Sequence, residues 1–129
     1  MVVLLDTQVL LWALGSPQRL PQAVVAQIES PETTVYFSAA SIWEIAIKTA
    51  LGKTDFHYSP EVIAQAARDT GFAELAVSAA HGAKVGHLPL HHREPFDRLF
   101  IAQSMLMPAQ LLTADAALGR YAPLVRFSC

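Results

Sequence analysis

Four carboxylates stand singly inside apolar stretches of this chain. They are Asp6 after Val2-Val3-Leu4-Leu5, Glu44 within Ile42-Trp43-Glu44-Ile45, Asp97 within Pro95-Phe96-Asp97-Arg98-Leu99, and Asp115 after Leu111-Leu112-Thr113-Ala114. A carboxylate in apolar surroundings is costly unless it is paired, hydrogen-bonded or metal-bound. If the fold brings the four together, they describe a cation site. Oxygen donors without thiolates or paired imidazoles suit a hard ion, Mg²⁺ or Mn²⁺ rather than Zn²⁺. Such a cluster clamps phosphate: two ions roughly 3.5 to 4 Å apart can activate a water and stabilise the leaving oxygen of a phosphodiester, and one ion can do part of that work. Thr7, next to Asp6, and Thr113, two residues before Asp115, can orient a carboxylate or a water.

Each acid also has an ordinary explanation. Asp6 and Asp115 can be turn or helix-capping residues. Glu44 can pair with Lys48 at i+4, and Asp97 can complement a helix N-terminus. Only joint placement distinguishes a site from four local solutions. The cluster His87, His91 and His92 invites a zinc reading, but Leu88-Pro89-Leu90 breaks any i, i+4 geometry and no thiol or fourth ligand accompanies it. His92 and Arg93, just ahead of Asp97, fit contact with a phosphate backbone better. Trp12 and Trp43 read as core or interface aromatics rather than base-stacking platforms.

The elements that must position the acids can be read from local signals. Val2 to Leu5 suits a strand buried on both faces, and Thr7 to Leu14 a helix stopped by Gly15-Ser16-Pro17. Pro21 opens a second helix running to about Ser30. Thr34 to Ser38 is a second strand, with Ser38 capping a helix that reaches Leu51 and stops at Gly52. That helix is apolar nearly all round, with one narrow polar stripe of Ser41, Glu44 and Lys48, and is expected to be largely buried. Ser59-Pro60-Glu61 opens another helix ending at Gly71, Phe72 to Val77 is a third strand, and Ser78 caps a short helix. Gly86 to Pro95 is a loop, Phe96 to Met107 a helix closed by Pro108, Gln110 to Thr113 a fourth strand, Asp115 to Arg120 a helical turn, and Leu124 to Phe127 a fifth, edge strand.

Strands alternating with helices imply right-handed crossovers and a mostly parallel sheet covered on both faces, an α/β fold. Ligands of such sheets bind at the carboxyl ends of the strands. Asp6 and Asp115 fall just past strand ends, while Glu44 lies in the second turn of the helix after strand two and Asp97 in the first turn of the helix entering strand four, both at that edge.

Composition bounds the rest. At 129 residues, 53% hydrophobic and 16% charged, residues 1–129 fit a single domain with a full core. The apolar excess and positive mean hydropathy suggest surface covered by a second chain. A net charge of −2 argues against a broadly basic nucleic-acid-coating surface. No apolar run approaches a membrane span, and Asp6 interrupts the N-terminal one, so a soluble, cytoplasmic protein is expected. Cys129 is the single cysteine, which leaves no internal disulfide.

The strings Leu4-Leu5-Asp6-Thr7, Ser41-Ile42-Trp43-Glu44-Ile45-Ala46-Ile47-Lys48, Pro95-Phe96-Asp97-Arg98-Leu99-Phe100-Ile101-Ala102-Gln103 and Leu112-Thr113-Ala114-Asp115 together resemble PIN-domain ribonucleases of the VapC toxin type. The resemblance runs through essentially the whole chain in order, including Gly52-Lys53 and Tyr121. It implies a PIN-like three-layer sandwich around a parallel five-stranded sheet of order 3-2-1-4-5, with Asp6 and Asp115 on adjacent strands. It also implies Mg²⁺- or Mn²⁺-dependent endonucleolytic cleavage of RNA, a homodimeric toxin, and a small cognate antitoxin covering the groove. Asp6, Glu44, Asp97 and Asp115 would then be the catalytic and metal-binding acids. Thr7, Thr113 and Glu94 would be auxiliary polar residues, and Lys48, His92, Arg93 and Arg98 candidate RNA contacts. Two positions depart from the common pattern: Gln8 stands where many relatives carry His, and Glu94 where the loop usually carries Asp.

Two other classes compete. A receiver-like phosphoacceptor domain also gathers acids at strand ends, but such domains resemble one another in an adjacent acidic pair after strand one, and Leu5-Asp6-Thr7 offers one acid. A non-catalytic binding or signalling subunit would have no reason to keep all four.

Overall fold

Val2–Leu5 forms β1, in which Val3, Leu4 and Leu5 are fully buried. Side chains alternate between strand faces, so Val3 and Leu5 enter one apolar layer and Leu4 the other. This computed structural model describes residues 1–52, 58–91 and 93–121, with the backbone of 125–127. Lys53, His92, Leu124 and Cys129, on which the sequence reading also drew, lie outside the described residues.

After β1 come α1 (Thr7–Gly15), α2 (Gln22–Glu29), β2 (Thr34–Ser38), α3 (Ala39–Ala50), α4 (Pro60–Thr70), β3 (Ala73–Leu75), α5 (Ala79–Val85), α6 (Pro95–Leu106), β4 (Gln110–Thr113) and β5 (Val125–Phe127). Short 3-10 turns occupy Pro17–Arg19 and Ala116–Tyr121. Every strand pairing is parallel and the sheet runs β3-β2-β1-β4-β5, the order that the resemblance implies. On one face Val3, Leu5, Val35, Phe37 and Leu112 pack with Val9 and Leu10 of α1, Val24 of α2 and Ala67 of α4. On the other, Leu4 and Leu111 pack with Phe100, Ile101 and Ala102 of α6 and with Leu118. Burial on both faces is why β1 reads as an unbroken apolar run rather than an alternating one. No helix among the described residues is long and apolar enough to cross a membrane.

The helix starts follow their capping residues. Ser38, Ser59 and Ser78 accept backbone N–H groups from Ala40, Val62 and His81, satisfying donors that the first turn leaves unpaired. Gly71 ends α4 with φ at 100°, a left-handed conformation that glycine adopts without a Cβ penalty.

Two expectations need correction. The third strand spans Ala73–Leu75 rather than Phe72 to Val77, because it pairs only with Tyr36, Phe37 and Ser38, after which β2 gives way to α3 and there is no partner backbone to extend along. Phe72 instead turns into the core. The second concerns α3, which is not largely buried: only Ala40, Ser41, Glu44 and Ile45 are, while Trp43 is 63% exposed. The inward face is mixed: apolar Ala40 and Ile45 are buried beside Ser41 and Glu44, which find hydrogen-bonding partners there, while Lys48 at the end of the polar stripe stays partly exposed.

Candidate active site

Sheet register brings the first two acids together. Leu5 pairs with Leu112, and the Asp6 N–H donates to the Leu112 carbonyl at 3.1 Å, carrying the pairing one residue past the end of β1. Asp6 therefore lies beside Thr113. The buried Thr113 hydroxyl donates to Asp6 Oδ2 at 2.5 Å and accepts the Asp115 N–H at 3.0 Å. One side chain thus fixes the rotation of the first carboxylate and the backbone of the second. The remaining oxygens do local work: Asp6 Oδ1 accepts the Val9 N–H at 2.8 Å as the N-cap of α1, and Asp115 Oδ1 accepts the Ala117 N–H at 2.9 Å. For both acids the capping role and a place in the site coexist.

Glu44 is delivered by α3. Its Oε1 accepts the Thr7 hydroxyl at 2.6 Å and its Oε2 the Lys48 ammonium at 2.5 Å. Thr7 and Ser41 hydroxyls lie 3.0 Å apart. A hydroxyl has one proton, so Thr7 donates to the acceptor-only carboxylate and Ser41 donates to Thr7. Ser41 thus supports the site, a role that the sequence reading missed although Ser41 and Glu44 stand at i, i+3 on one stripe. Asp97 arrives in the first turn of α6, whose N-cap is Glu94: the Glu94 Oε2 accepts the Asp97 N–H at 2.7 Å. A longer acid at this position therefore fixes the backbone that carries Asp97.

Asp6, Glu44, Glu94, Asp97 and Asp115 line one cleft of about 420 Å³ with Thr7, Gln8, Leu11, Lys48 and Ala114. Glu44 and Asp6 form the buried floor, Asp97 is half-buried, and Asp115 is exposed at the rim. Burial pushes the Asp6 carboxyl up to about 6; the Thr113 and Val9 hydrogen bonds oppose the rise, and the charges of Asp97 and Glu44 add to it. A buried carboxylate with other acids beside it forms a site that a cation would relieve. The donor set is all oxygen, which fits a hard divalent ion completed by water. Among the described residues no three His, Cys, Asp or Glu side chains already stand as a group that could hold a metal ion.

The candidate RNA contacts separate. Lys48 lines the cleft, paired with Glu44. Arg93 is exposed outside the lining. Arg98 is a correction: it is buried, and its guanidinium donates to the carbonyls of Val85 at 2.9 Å and Pro89 at 3.0 Å and to the Tyr121 hydroxyl at 3.2 Å. Tyr121 in turn donates to Pro89 at 2.9 Å. Arg98 ties the end of α5, the loop before α6 and Tyr121 together by sharing carbonyls that also accept the Leu88 N–H and the Tyr121 hydroxyl. Replacing it with Ala removes the charged donor that ties these groups together, leaving the Val85 and Pro89 carbonyls, among the described residues, only the Leu88 N–H and the Tyr121 hydroxyl, and we expect a loss of about 3 kcal/mol in urea-denaturation stability; a loss below about 1 kcal/mol would contradict this role. His87 and His91 are exposed, His91 resting edge-on against Tyr121 with ring centroids 5.2 Å apart. Trp43 meets Phe96 edge-on at 5.3 Å.

Comparison with known proteins follows the same outline. The family model described as "PIN domain" matches residues 3–124. Among solved structures, a chain of the crystal structure of VapBC2 from Rickettsia felis bound to a DNA fragment from their promoter superposes with a TM-score of 0.69 at 15% identity, over 99% of this chain and 98% of that one. A chain of the VapBC-1 structure from nontypeable Haemophilus influenzae does so with a TM-score of 0.66 at 15% identity, over 99% and 97%. No curated protein matches the chain in sequence.

Proposed function

The chain belongs to the PIN-domain family, and from that premise we propose that it is a Mg²⁺- or Mn²⁺-dependent endoribonuclease acting as the toxin of a toxin-antitoxin pair. The observation that carries the nuclease reading is the convergence of Asp6, Glu44, Asp97 and Asp115 on one cleft from two strand ends and two helices. Similarity in fold to chains of two VapBC structures supports the toxin role and a small antitoxin partner. A homodimer, suggested by the apolar excess and the exposed Trp43, and action in the cytoplasm complete the reading.

Asp6, Glu44, Asp97 and Asp115 are the residues that would hold the ion, which when bound supplies Lewis acidity to a phosphodiester and a more acidic water. The chain's own groups set the geometry. Asp6 and Glu44 present fixed carboxylates because each has both oxygens engaged by neighbours. Asp97 and Asp115, nearer the surface, face the incoming backbone and can orient a water for in-line attack. Lys48 sits where its ammonium can exchange Glu44 for a phosphate oxygen.

Thr113 is a positioning residue in this scheme. Thr113→Val keeps the shape but removes the proton donated to Asp6 and the acceptor of the Asp115 N–H. We expect kcat for RNA cleavage to fall about 10- to 100-fold with little change in KM, and Thr113→Ser to restore most of it; equal kcat in Thr113→Val and wild type would remove Thr113 from the scheme. The function itself is tested by incubating purified protein with RNA and Mg²⁺ or Mn²⁺, alongside Asp6→Asn and Asp97→Asn.

A further inference from the structure

A second cavity, of about 380 Å³, adjoins the acid cleft and shares Gln8 and Leu11 with it. Its other walls are Trp12, Gly15, Ser16, Arg19 and Tyr58. Gln8, Leu11, Trp12 and Gly15 recur at i, i+3, i+4 and i+7, so a single face of α1 forms the floor of a continuous groove. From Gln8 to Trp12 the helix rises about 6 Å, less than two stacked-nucleotide steps.

The chemistry of this cavity differs from that of the cleft. Arg19 ends the 3-10 turn Pro17–Arg19, and its guanidinium carbon lies 5.5 Å from the centroid of the Trp12 ring. The indole holds the guanidinium by cation–π attraction on an otherwise exposed side chain. Tyr58 is 38% exposed on the cavity wall, its carbonyl tied to the Thr49 hydroxyl of α3 at 3.1 Å. The buried Trp12 Nε1–H has no acceptor among the described residues, an arrangement that a purely structural tryptophan usually avoids. Gln8, exposed at the junction, presents an amide that both donates and accepts.

A planar cation, a phenol and an amide around one cavity suit a nucleobase, which stacks on arginine and aromatic planes and is read on its polar edge. We propose that this groove is a base-reading subsite for a nucleotide flanking the cleaved phosphodiester, with Arg19 and Tyr58 as the stacking pair and Gln8 as the edge reader. The inference rests on the nuclease reading above. It gives the acidic cleft, which repels phosphate on its own, an adjacent cationic and aromatic anchor for a single strand.

The test uses the intact chain carrying Trp43→Phe, which leaves Trp12 as the single tryptophan. Homopolymeric hexaribonucleotides of the four bases are titrated in Ca²⁺ buffer while Trp12 fluorescence is followed, and cleavage preference is mapped separately with Mg²⁺. We expect saturable, base-dependent quenching, about tenfold weaker affinity in Arg19→Ala and in Tyr58→Ala, and an altered base preference at one position beside the cut, expressed in KM rather than kcat. Arg19→Lys keeps the charge but not the plane, and restores less than half of the loss. If wild type cuts RNA while the variants retain affinity and preference within twofold, the subsite is wrong and the nuclease reading stands. The subsite is equally overturned if these variants weaken binding of a partner protein and leave RNA binding unchanged. If wild type neither binds nor cuts RNA, both readings fall.

Discussion

Asp6→Asn is expected to abolish RNA cleavage, by about 10³-fold or more, while raising the stability of the metal-free protein at pH 7.5. The two effects share one cause. Asp6 is buried at the head of α1, and its carboxyl lies at about 6 against 3.8 in the unfolded chain. A carboxyl raised on folding favours the folded state in its protonated form. That contribution is full below pH 3.8 and is lost as pH rises through about 6. At neutral pH the ionised group therefore costs up to about 3 kcal/mol. Asn removes the charge and keeps an oxygen to cap Val9. Its amide meets the Thr113 hydroxyl where a carboxylate oxygen stood, so part of the gain is given back and a net of about 1 to 2 kcal/mol is expected. The difference in thermal midpoint between variant and wild type should widen from pH 4 to pH 7. A constant difference across that range would mean that Asp6 is not the strained group described here.

The second large effect is stabilisation by the ion itself. Mg²⁺ or Mn²⁺ at a hundredfold excess over Kd should stabilise wild type by about 2.7 kcal/mol, roughly 10 °C in thermal midpoint for a chain of this size. The shift should be larger at pH 7.5 than at pH 5, because protonating Asp6 competes with the ion for the same oxygens. Asp6→Asn and Asp97→Asn should lose most of it, and EDTA should reverse it in wild type. Scanning calorimetry with and without EDTA checks this; a wild-type midpoint that neither the ion nor EDTA moves would argue that the acids serve the fold alone.

The backbone plan was legible because its signals are local. Buried strands appear as Val2 to Leu5 and Gln110 to Thr113, and helix starts appear as Ser38, Ser59 and Ser78. The strand order came from resemblance rather than from any residue, since pairing β1 with β4 joins segments over a hundred positions apart. What the sequence could not express was side-chain direction. Arg98 lies one residue from Asp97 and looks like a phosphate contact, yet helix geometry turns neighbours about 100° apart, and the loop carbonyls hold it inside. On α3 the same ambiguity ran the other way: a helix apolar nearly all round suggests burial, but Trp43 lies at the surface while Thr7 and Ser41 satisfy Glu44 internally. Glu94 read as a lengthened auxiliary acid, and its part in capping α6 emerged only with the backbone in place.

The most direct test of the account is mapping of RNA 5′ ends after purified protein is incubated with cellular RNA in Mg²⁺ or Mn²⁺. Wild type is expected to make discrete internal cuts that vanish with EDTA and in folded Asp6→Asn and Asp97→Asn. The nuclease reading would be contradicted if folded wild type made no cuts, or if both variants cut at the same sites and rates as wild type.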